Sequence, residues 1–245
     1  MKVFLEQIEG DWLDDFVFIT KDVFLNSGDI VVPFDGLDLP NSILKHGVDP
    51  TTDICIGSVE ATEVFFKICG VETPKAISYP KKLRDFLGRI IKETTFDELG
   101  IDYPYFVKPS EEIKLFTGDT VESGRDKALL IKYGNCKATT KVYKSQLVNF
   151  VSEYRVFVSL GEVKGVRHYR GNPLILFDPE LIPLMVKAYT DCPLAYTLDI
   201  GVTSDGRTLL VEVNDMWAIA SYGLNPKDYT LLCTRRLKQI LKQIK

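Results

Sequence analysis

Between residues 196 and 215 apolar and polar positions alternate on both sides of Asp205-Gly206, in the order Tyr-Thr-Leu-Asp199-Ile-Gly-Val-Thr-Ser-Asp205-Gly206-Arg-Thr-Leu-Leu-Val-Glu212-Val-Asn214-Asp215. An Asp-Gly pair flanked by such runs predicts a β-hairpin closed by a two-residue type I′ turn. Counting outward, 204 pairs with 207 and 202 with 209, so Asp199 faces Glu212. Asn214 follows two residues on, along the same strand face.

A second alternating pair precedes it: Glu153-Tyr-Arg155-Val-Phe-Val-Ser159, a turn at Gly161, then Val163-Lys-Gly-Val-Arg167-His-Tyr169. Period two places Glu153, Arg155 and Phe157 on one face of the first strand, and Val163, Gly165, Arg167 and Tyr169 on one face of the second. Tyr105-Phe-Val-Lys108-Pro109 reads as a strand that delivers a lysine at its end, followed by a polar, glycine-containing stretch from Ser110 to Arg125. In the first hundred residues the short apolar runs Asp29–Pro33 and Asp53–Ile56 end in turn residues, as buried strands do. After Gly57-Ser58 the spacing of Ala61, Val64, Phe65 and Ile68 predicts a helix closed by Gly70. Leu83, Phe86, Leu87 and Ile90 predict a connector plus helix over 79–95. Asp178-Pro179 predicts a helix with Leu181, Leu184, Met185 and Ala188 as its core stripe, and Leu237, Ile240, Leu241 and Ile244 mark an amphipathic helix at the end.

The length of 245 residues accommodates one large or two small domains. Hydrophobic content of 45% and charged content of 26% are those of a globular protein. A net charge of −4 gives no electrostatic footprint for nucleic acid or an anionic membrane. Five scattered cysteines without CxxC spacing read as reduced residues rather than a disulfide or zinc framework. Glu6 lies where a signal peptide would need an apolar run, and no stretch reaches membrane-spanning length, so a cytoplasmic protein is expected.

Like charges directly opposite on a sheet destabilise it, so Asp199 facing Glu212 asks for a cation between them. Two carboxylates and an amide oxygen form a hard ligand set suited to Mg²⁺, with positions left for water and phosphates. The alternative is a solvated polar strand face, with Asp199 near solvent. Lysine and arginine elsewhere supply what a triphosphate needs, a point charge and a bidentate fork. No P-loop, kinase-type glycine-rich loop or His-Arg-Asp motif occurs. Both histidines, His46 and His168, look incidental. Trp217 and Tyr222 belong either to the core or to a substrate pocket.

The ordered set Phe106-Val-Lys108-Pro109, Lys114-Leu-Phe116-Thr-Gly118, Ser152-Glu153-Tyr-Arg155-Val-Phe, Asp199-Ile-Gly201, Val211-Glu212-Val-Asn214-Asp215 and Tyr222-Gly223 resembles the ATP-grasp superfamily over roughly residues 75 to 245. The match is closest to small bacterial and phage ATP-grasp proteins of the two-arginine-and-lysine type, predicted to form amide bonds. The resemblance implies a mixed α+β fold: a small α/β pre-ATP-grasp domain (1–78) before an ATP-grasp domain (79–245), with subdomains at about 79–143 and 144–245. It implies ATP and one or two Mg²⁺ ions as cofactors, with Mn²⁺ as a substitute, and small-molecule or peptide carboxylate and amine substrates. Lys108 would then contact the α/β phosphates, and Lys114, before Gly118, would reach phosphate when its loop closes. Arg155 and Arg167 would hold the γ-phosphate and the acylphosphate. Asp199, Glu212 and Asn214 would ligate metal, and Lys141–Lys144, including Tyr143, would lie beside adenine. Arg155 is also placed for a simple ion pair with Glu153, and Arg167 for an ordinary surface role. The sequence does not separate a ligase from a phosphotransferase; a non-catalytic nucleotide-binding protein would have no need to keep the whole set.

Overall fold

A computed structural model describes residues 1–111 and 115–242 and arranges them around three four-stranded sheets. The first contains β1 (Lys2–Ile8), β2 (Asp11–Trp12), β3 (Ile30–Asp35) and β4 (Ile54–Ile56), with β3 and β4 parallel to a central β1. Three helices accompany it: α1 (Asp15–Asn26), α2 (Leu39–His46) and α3 (Val59–Ile68). Val3, Phe4 and Leu5 are fully buried, because a central parallel strand is covered on both faces. That short apolar run carries no alternation, and a strand there is not expected from the sequence. Helix α3 follows the predicted pattern: Ser58 caps its start by accepting from the Ala61 N–H, and Gly70 leaves it at φ +72°.

The second sheet has the order β5-β8-β6-β7, all antiparallel: β5 (Ile91–Thr95), β6 (Tyr105–Pro109), β7 (Asp119–Val121) and β8 (Lys141–Ser145), with α4 (Gly124–Tyr133) alongside. The helix predicted over 79–95 is instead a 3₁₀ segment, Lys81–Phe86, followed by β5. Gly88 at φ +58° breaks the periodic run, and the Ile-Lys-Glu-Thr-Thr segment after it pairs with β8 as a strand. Ile90, predicted to face a core, is 60% exposed. The stretch 110–125 contains β7 and the start of α4, which Ser123 caps.

The third sheet, order β10-β9-β11-β12, is antiparallel: β9 (Phe150–Ser159), β10 (Glu162–Gly171), β11 (Ala195–Thr203) and β12 (Thr208–Asp215). Before β11 comes α5 (Leu181–Ala188), and after β12 comes α6 (Pro226–Leu241). Helix α5 starts at Leu181 rather than Pro179, with Ile182 and Met185 buried and Leu184 exposed, so its stripe lies one position round from the predicted one. Leu237, Ile240 and Leu241 of α6 are buried as predicted; Ile244 lies outside the described residues. Helix α6 shares one core with the first sheet, where Leu232 and Leu237 cluster with Phe4 and Phe65.

The hairpin differs from prediction in two places. The Thr203 N–H donates to the Arg207 carbonyl, and Gly206 (φ +83°) donates to Thr203. The loop is therefore three residues, Ser204-Asp205-Gly206, with glycine in the left-handed position. The shorter count this sets, Val202 with Thr208 and Ile200 with Leu210, is undone by a β-bulge at Val211, after which Asp199 does face Glu212.

Candidate active site

Four strands converge on one cleft: β6 brings Lys108, β9 brings Arg155, β11 brings Asp199, and β12 brings Glu212 and Asn214. Arg155 and Asp199 are cross-strand partners and form a two-pronged ion pair, Nε to Oδ1 at 2.8 Å and Nη2 to Oδ2 at 2.7 Å. Asp199 is only 2% exposed, so the expectation that it lies near solvent is wrong: Asp199 and Gly201 form the middle of a strand flanked by both β9 and β12. Burial pushes its pKa up to about 6, while Arg155 opposes the rise, so the carboxylate is ionised at neutral pH.

Glu212 carries a different cation. Lys108 Nζ donates to its Oε2 at 2.5 Å, across the gap between the second and third sheets. Burial pushes Glu212 upward, but the Lys108 charge and hydrogen bond and the Asn214 amide outweigh it and leave the carboxyl below its ordinary value. The same contact keeps the Lys108 pKa raised against its own burial. Asn214 Nδ2 bridges the two acids, 3.1 Å from Asp199 Oδ2 and 3.0 Å from Glu212 Oε1. The two carboxylates are thus not left facing one another bare; each holds its own side-chain cation.

Two tyrosines complete the Arg155 environment. Tyr169 and Tyr222 stack at 5.1 Å with 13° between planes, and the guanidinium carbon lies 4.7 Å from the Tyr222 ring centre. Tyr169 donates to Glu153 Oε2 at 2.7 Å, which gives the buried Glu153 a partner other than Arg155. Tyr222 therefore belongs to the site, whereas Trp217, 4% exposed and edge-on to Phe66 at 5.4 Å, belongs to the core. Arg167 pairs with Arg155 across β9 and β10 and donates to the Gly223 carbonyl at 2.9 Å, beside the Tyr222 turn.

Gly118 lies against β6 so closely that a Cβ there would be 2.5 Å from Phe106 Cζ and 3.0 Å from Lys108 Cβ. Lys114 lies outside the described residues. Tyr143 sits opposite Lys108 and edge-on to Tyr79 at 4.9 Å. The backbone of 141–144 is taken up in ladders with β5 and β6 on both sides. A cavity of about 300 Å³ adjoins the ion-pair cluster and shares Glu212 with it; Phe106, Gly118, Thr120, Glu153 and Arg170 also line it, whereas Lys108, Arg155, Asp199 and Asn214 do not. The backbone of Leu147, Val148 and Asn149, between β8 and β9, lines the adjoining cavity outside any strand ladder. Arg89 and Arg170 were not singled out from sequence; neither has a local pattern that marks it.

No group of three or more His, Cys, Asp or Glu side chains among the described residues is arranged to hold a metal. The candidate set contains only two carboxylates and one amide. It nevertheless fits a hard divalent ion: a single atom, Asn214 Nδ2, touches both carboxylates, so the three side chains converge on one point. A half-turn of the amide exchanges Nδ2 for Oδ1 at that point.

Two α+β halves closing over a basic and acidic cleft, behind a small parallel α/β module, define the ATP-grasp fold. The sequence matches the family described as ATP-grasp domain, R2K clade family 2, over residues 86–232, more than half of its length, and the chain belongs to that family. Solved structures of similar fold include D-alanine–D-alanine ligase from Bacillus anthracis complexed with ATP (12% identity, TM-score 0.61, 100% of this chain and 99% of that one). They also include a RimK domain ATP-grasp protein from Sphaerobacter thermophilus (13%, 0.59, 99% and 100%) and L-amino acid ligase from Bacillus licheniformis (11%, 0.58, 97% and 74%). At such identities the likeness is one of fold. No curated protein sequence matches the chain.

Proposed function

We propose that the protein is an ATP-dependent carboxylate–amine ligase that forms an amide or peptide bond through an acylphosphate and releases ADP and phosphate. The observation that carries this reading is the pair of ion pairs, Lys108–Glu212 and Arg155–Asp199, bridged by Asn214 at the cleft. Every charge there is already compensated, so a magnesium triphosphate binds by exchange of partners: phosphates take the lysine and arginine, and the acids are released for metal. Burying these charges then costs little more with ligand than without it.

Asp199, Glu212 and Asn214 would hold one or two Mg²⁺ (or Mn²⁺) ions, which when bound neutralise charge on the phosphates. Lys108 holds the α/β phosphates from the second sheet. Arg155 presents a planar fork to the γ-phosphate, its guanidinium carbon 4.7 Å from the Tyr222 ring centre, and Arg167 supports the acylphosphate from the adjoining strand. A substrate carboxylate oxygen attacks the γ-phosphorus and ADP leaves. The amine nitrogen then attacks the acyl carbon, loses a proton, and phosphate departs with the former carboxylate oxygen. The stretch around Gly118 closes over the acylphosphate to exclude water. Residues 1–78 complete the substrate site as a pre-ATP-grasp domain, and the halves at about 79–143 and 144–245 form the clamp. The substrates are a small-molecule or peptide acid and an amine, in the cytoplasm; among the described residues no helix is long and apolar enough to cross a membrane.

That solved relatives of this fold are named as ligases supports the reading. The test is a panel of amino acids and short peptides incubated with ATP, Mg²⁺ and hydroxylamine. A productive acid gives a hydroxamate, and ¹⁸O from its carboxylate appears in the released phosphate. A stable phosphorylated alcohol, with no oxygen transfer and no amine requirement, would identify a phosphotransferase instead.

A further inference from the structure

We propose that Arg89 is a positioning residue that holds Glu212 and Asn214 on the Asp199 face by anchoring the β-bulge at Val211; the inference rests on the metal-site reading above. The turn at 204–206 starts the β11–β12 ladder with Val202 opposite Thr208 and Ile200 opposite Leu210. Continued without interruption, that ladder would set Val211 opposite Asp199. Glu212 and Asn214 would then point to the other face, because a one-residue slip inverts every side chain. The other face is the core formed by Leu198, Ile200, Leu210 and Val213. The extra residue at Val211 prevents this, and the register beyond it, Asp199 with Glu212 and Leu198 with Val213, is the one that builds the site.

A bulge leaves backbone groups out of the ladder, and β12 is the last strand of its sheet, met on its far side by an isolated bridge from Ser78 to Val213. Arg89 supplies the missing donors. Its Nη1 donates to the Leu210 carbonyl at 2.8 Å and its Nη2 to the Val211 carbonyl at 2.7 Å. The guanidinium lies between the rings of Tyr79 and Phe150, 5.9 and 5.7 Å from their centres. Gly88 makes the approach possible: a Cβ there would lie 2.6 Å from Leu209 Cδ2. On the other side of Glu212, the Val213 N–H donates to the Ser78 carbonyl at 2.9 Å. The segment from Ser78 to Arg89 therefore brackets Glu212 along the strand edge, more than a hundred residues away in sequence. A planar fork meets two carbonyls at once; an ammonium does not.

Arg89 also lines the adjoining cavity, so direct contact with nucleotide is the competing role. Deleting Val211 separates the two, because it removes the bulge yet leaves Glu212 next in register opposite Asp199. The experiment measures Mn²⁺ binding by electron paramagnetic resonance in the whole chain saturated with a non-hydrolysable ATP analogue, since the phosphates must take Lys108 and Arg155 before Glu212 and Asp199 are free for metal. Arg89→Met should weaken Mn²⁺ roughly 10- to 100-fold, the usual cost of losing a group that orients metal ligands. In the Val211-deleted protein the same substitution should change affinity by no more than about twofold, the scatter of independent sites. Arg89→Lys, which keeps the charge in the same cavity, should fall between and guards against a variant that fails to fold. An equal loss in both backgrounds, or no loss in the parent, overturns the proposal. If the parent and Glu212→Gln bind Mn²⁺ alike, the metal reading itself fails. Amide hydrogen exchange then still decides the role of Arg89: faster exchange at Val213 in metal-free Arg89→Met supports the anchor, and unchanged exchange refutes it.

Discussion

Asp199→Asn tests whether the buried ion pair, rather than the metal alone, governs this site. The side chains of Arg155 and Asp199 are 6% and 3% exposed and share two hydrogen bonds of 2.7 and 2.8 Å. The asparagine keeps one acceptor for the guanidinium but removes the charge that neutralises it. Arg155 cannot shed its proton at any accessible pH, so an unpaired cation stays in the interior. Breaking a buried pair from one side costs about 3–5 kcal/mol. At roughly 2–4 °C per kcal/mol for a chain of this size, the unfolding midpoint should fall by about 6–20 °C. Thermal unfolding without metal or nucleotide, followed by circular dichroism, measures this. Replacing both partners with leucine should recover most of the loss, since an apolar pair in place of a buried ion pair is neutral or stabilising by about 1–4 kcal/mol. It should also abolish turnover. A midpoint for Asp199→Asn within about 2 °C of the parent, or a double-leucine protein no more stable than the single variant, would refute the argument, since that shift is worth at most about 1 kcal/mol.

Glu212→Gln should separate function from stability. Lys108 has 16% of its side chain exposed and can turn its ammonium toward water, so at most about 2 kcal/mol should be lost while Mg²⁺-dependent ATP turnover disappears; full turnover, or turnover unaffected by chelator, would remove Glu212 from the metal set. Arg155→Lys keeps the charge and loses the fork. The expected result is a fall in kcat on the order of 10²-fold with a much smaller change in KM for ATP, as for a lost preorganised donor, and a change confined to KM would make Arg155 a ground-state binding residue. Gly118→Ala forces a Cβ to within 2.5 Å of the Phe106 ring and beside Lys108. It should raise KM for ATP while leaving the unfolding midpoint within about 2–4 °C, the equivalent of about 1 kcal/mol, as steady-state kinetics and calorimetry would show.

What the sequence made legible was what alternation and turn chemistry encode locally. Strands β6, β9 and β10 and helices α3 and α6 follow from period-two and helical spacing, and Lys108, Arg155, Asp199, Glu212 and Asn214, named from hairpin register and family resemblance, are brought together by the structure. Strand β1 was missed because Val3-Phe4-Leu5, unlike the equally buried Ile54–Ile56, has no turn residue directly beside it to mark it as a strand. The 79–95 segment was misread because Leu83 and Leu87 do face a core, but that of the third sheet, from a 3₁₀ segment that Gly88 ends. The partners of the charges were also illegible. Lys108 meets Glu212 across 104 positions, and Arg155 meets Asp199 across 44, so the rule that opposed carboxylates demand a cation was satisfied by pairings no local pattern could nominate.

The hairpin shows how a right pairing can follow from a wrong turn. A two-residue loop and an unbroken ladder set Asp199 opposite Glu212; so do a three-residue loop and one bulge, because each shifts the count by one residue and in opposite senses. The two routes are not physically equivalent. The unbroken ladder would need no help from the rest of the chain. The bulged one exposes carbonyls at Leu210 and Val211 that the molecule satisfies with Arg89, carried on a glycine that tolerates close approach to Leu209. The register of the candidate metal ligands is therefore a tertiary property, held by a residue from beyond the hairpin. An isolated peptide of 195–215 should relax toward the unbulged pairing set by its own turn, with Val211 opposite Asp199. Cross-strand nuclear Overhauser contacts between those two residues in the peptide, absent in the full chain, would show it; contacts between Asp199 and Glu212 in the isolated peptide would mean that the bulge is encoded locally after all.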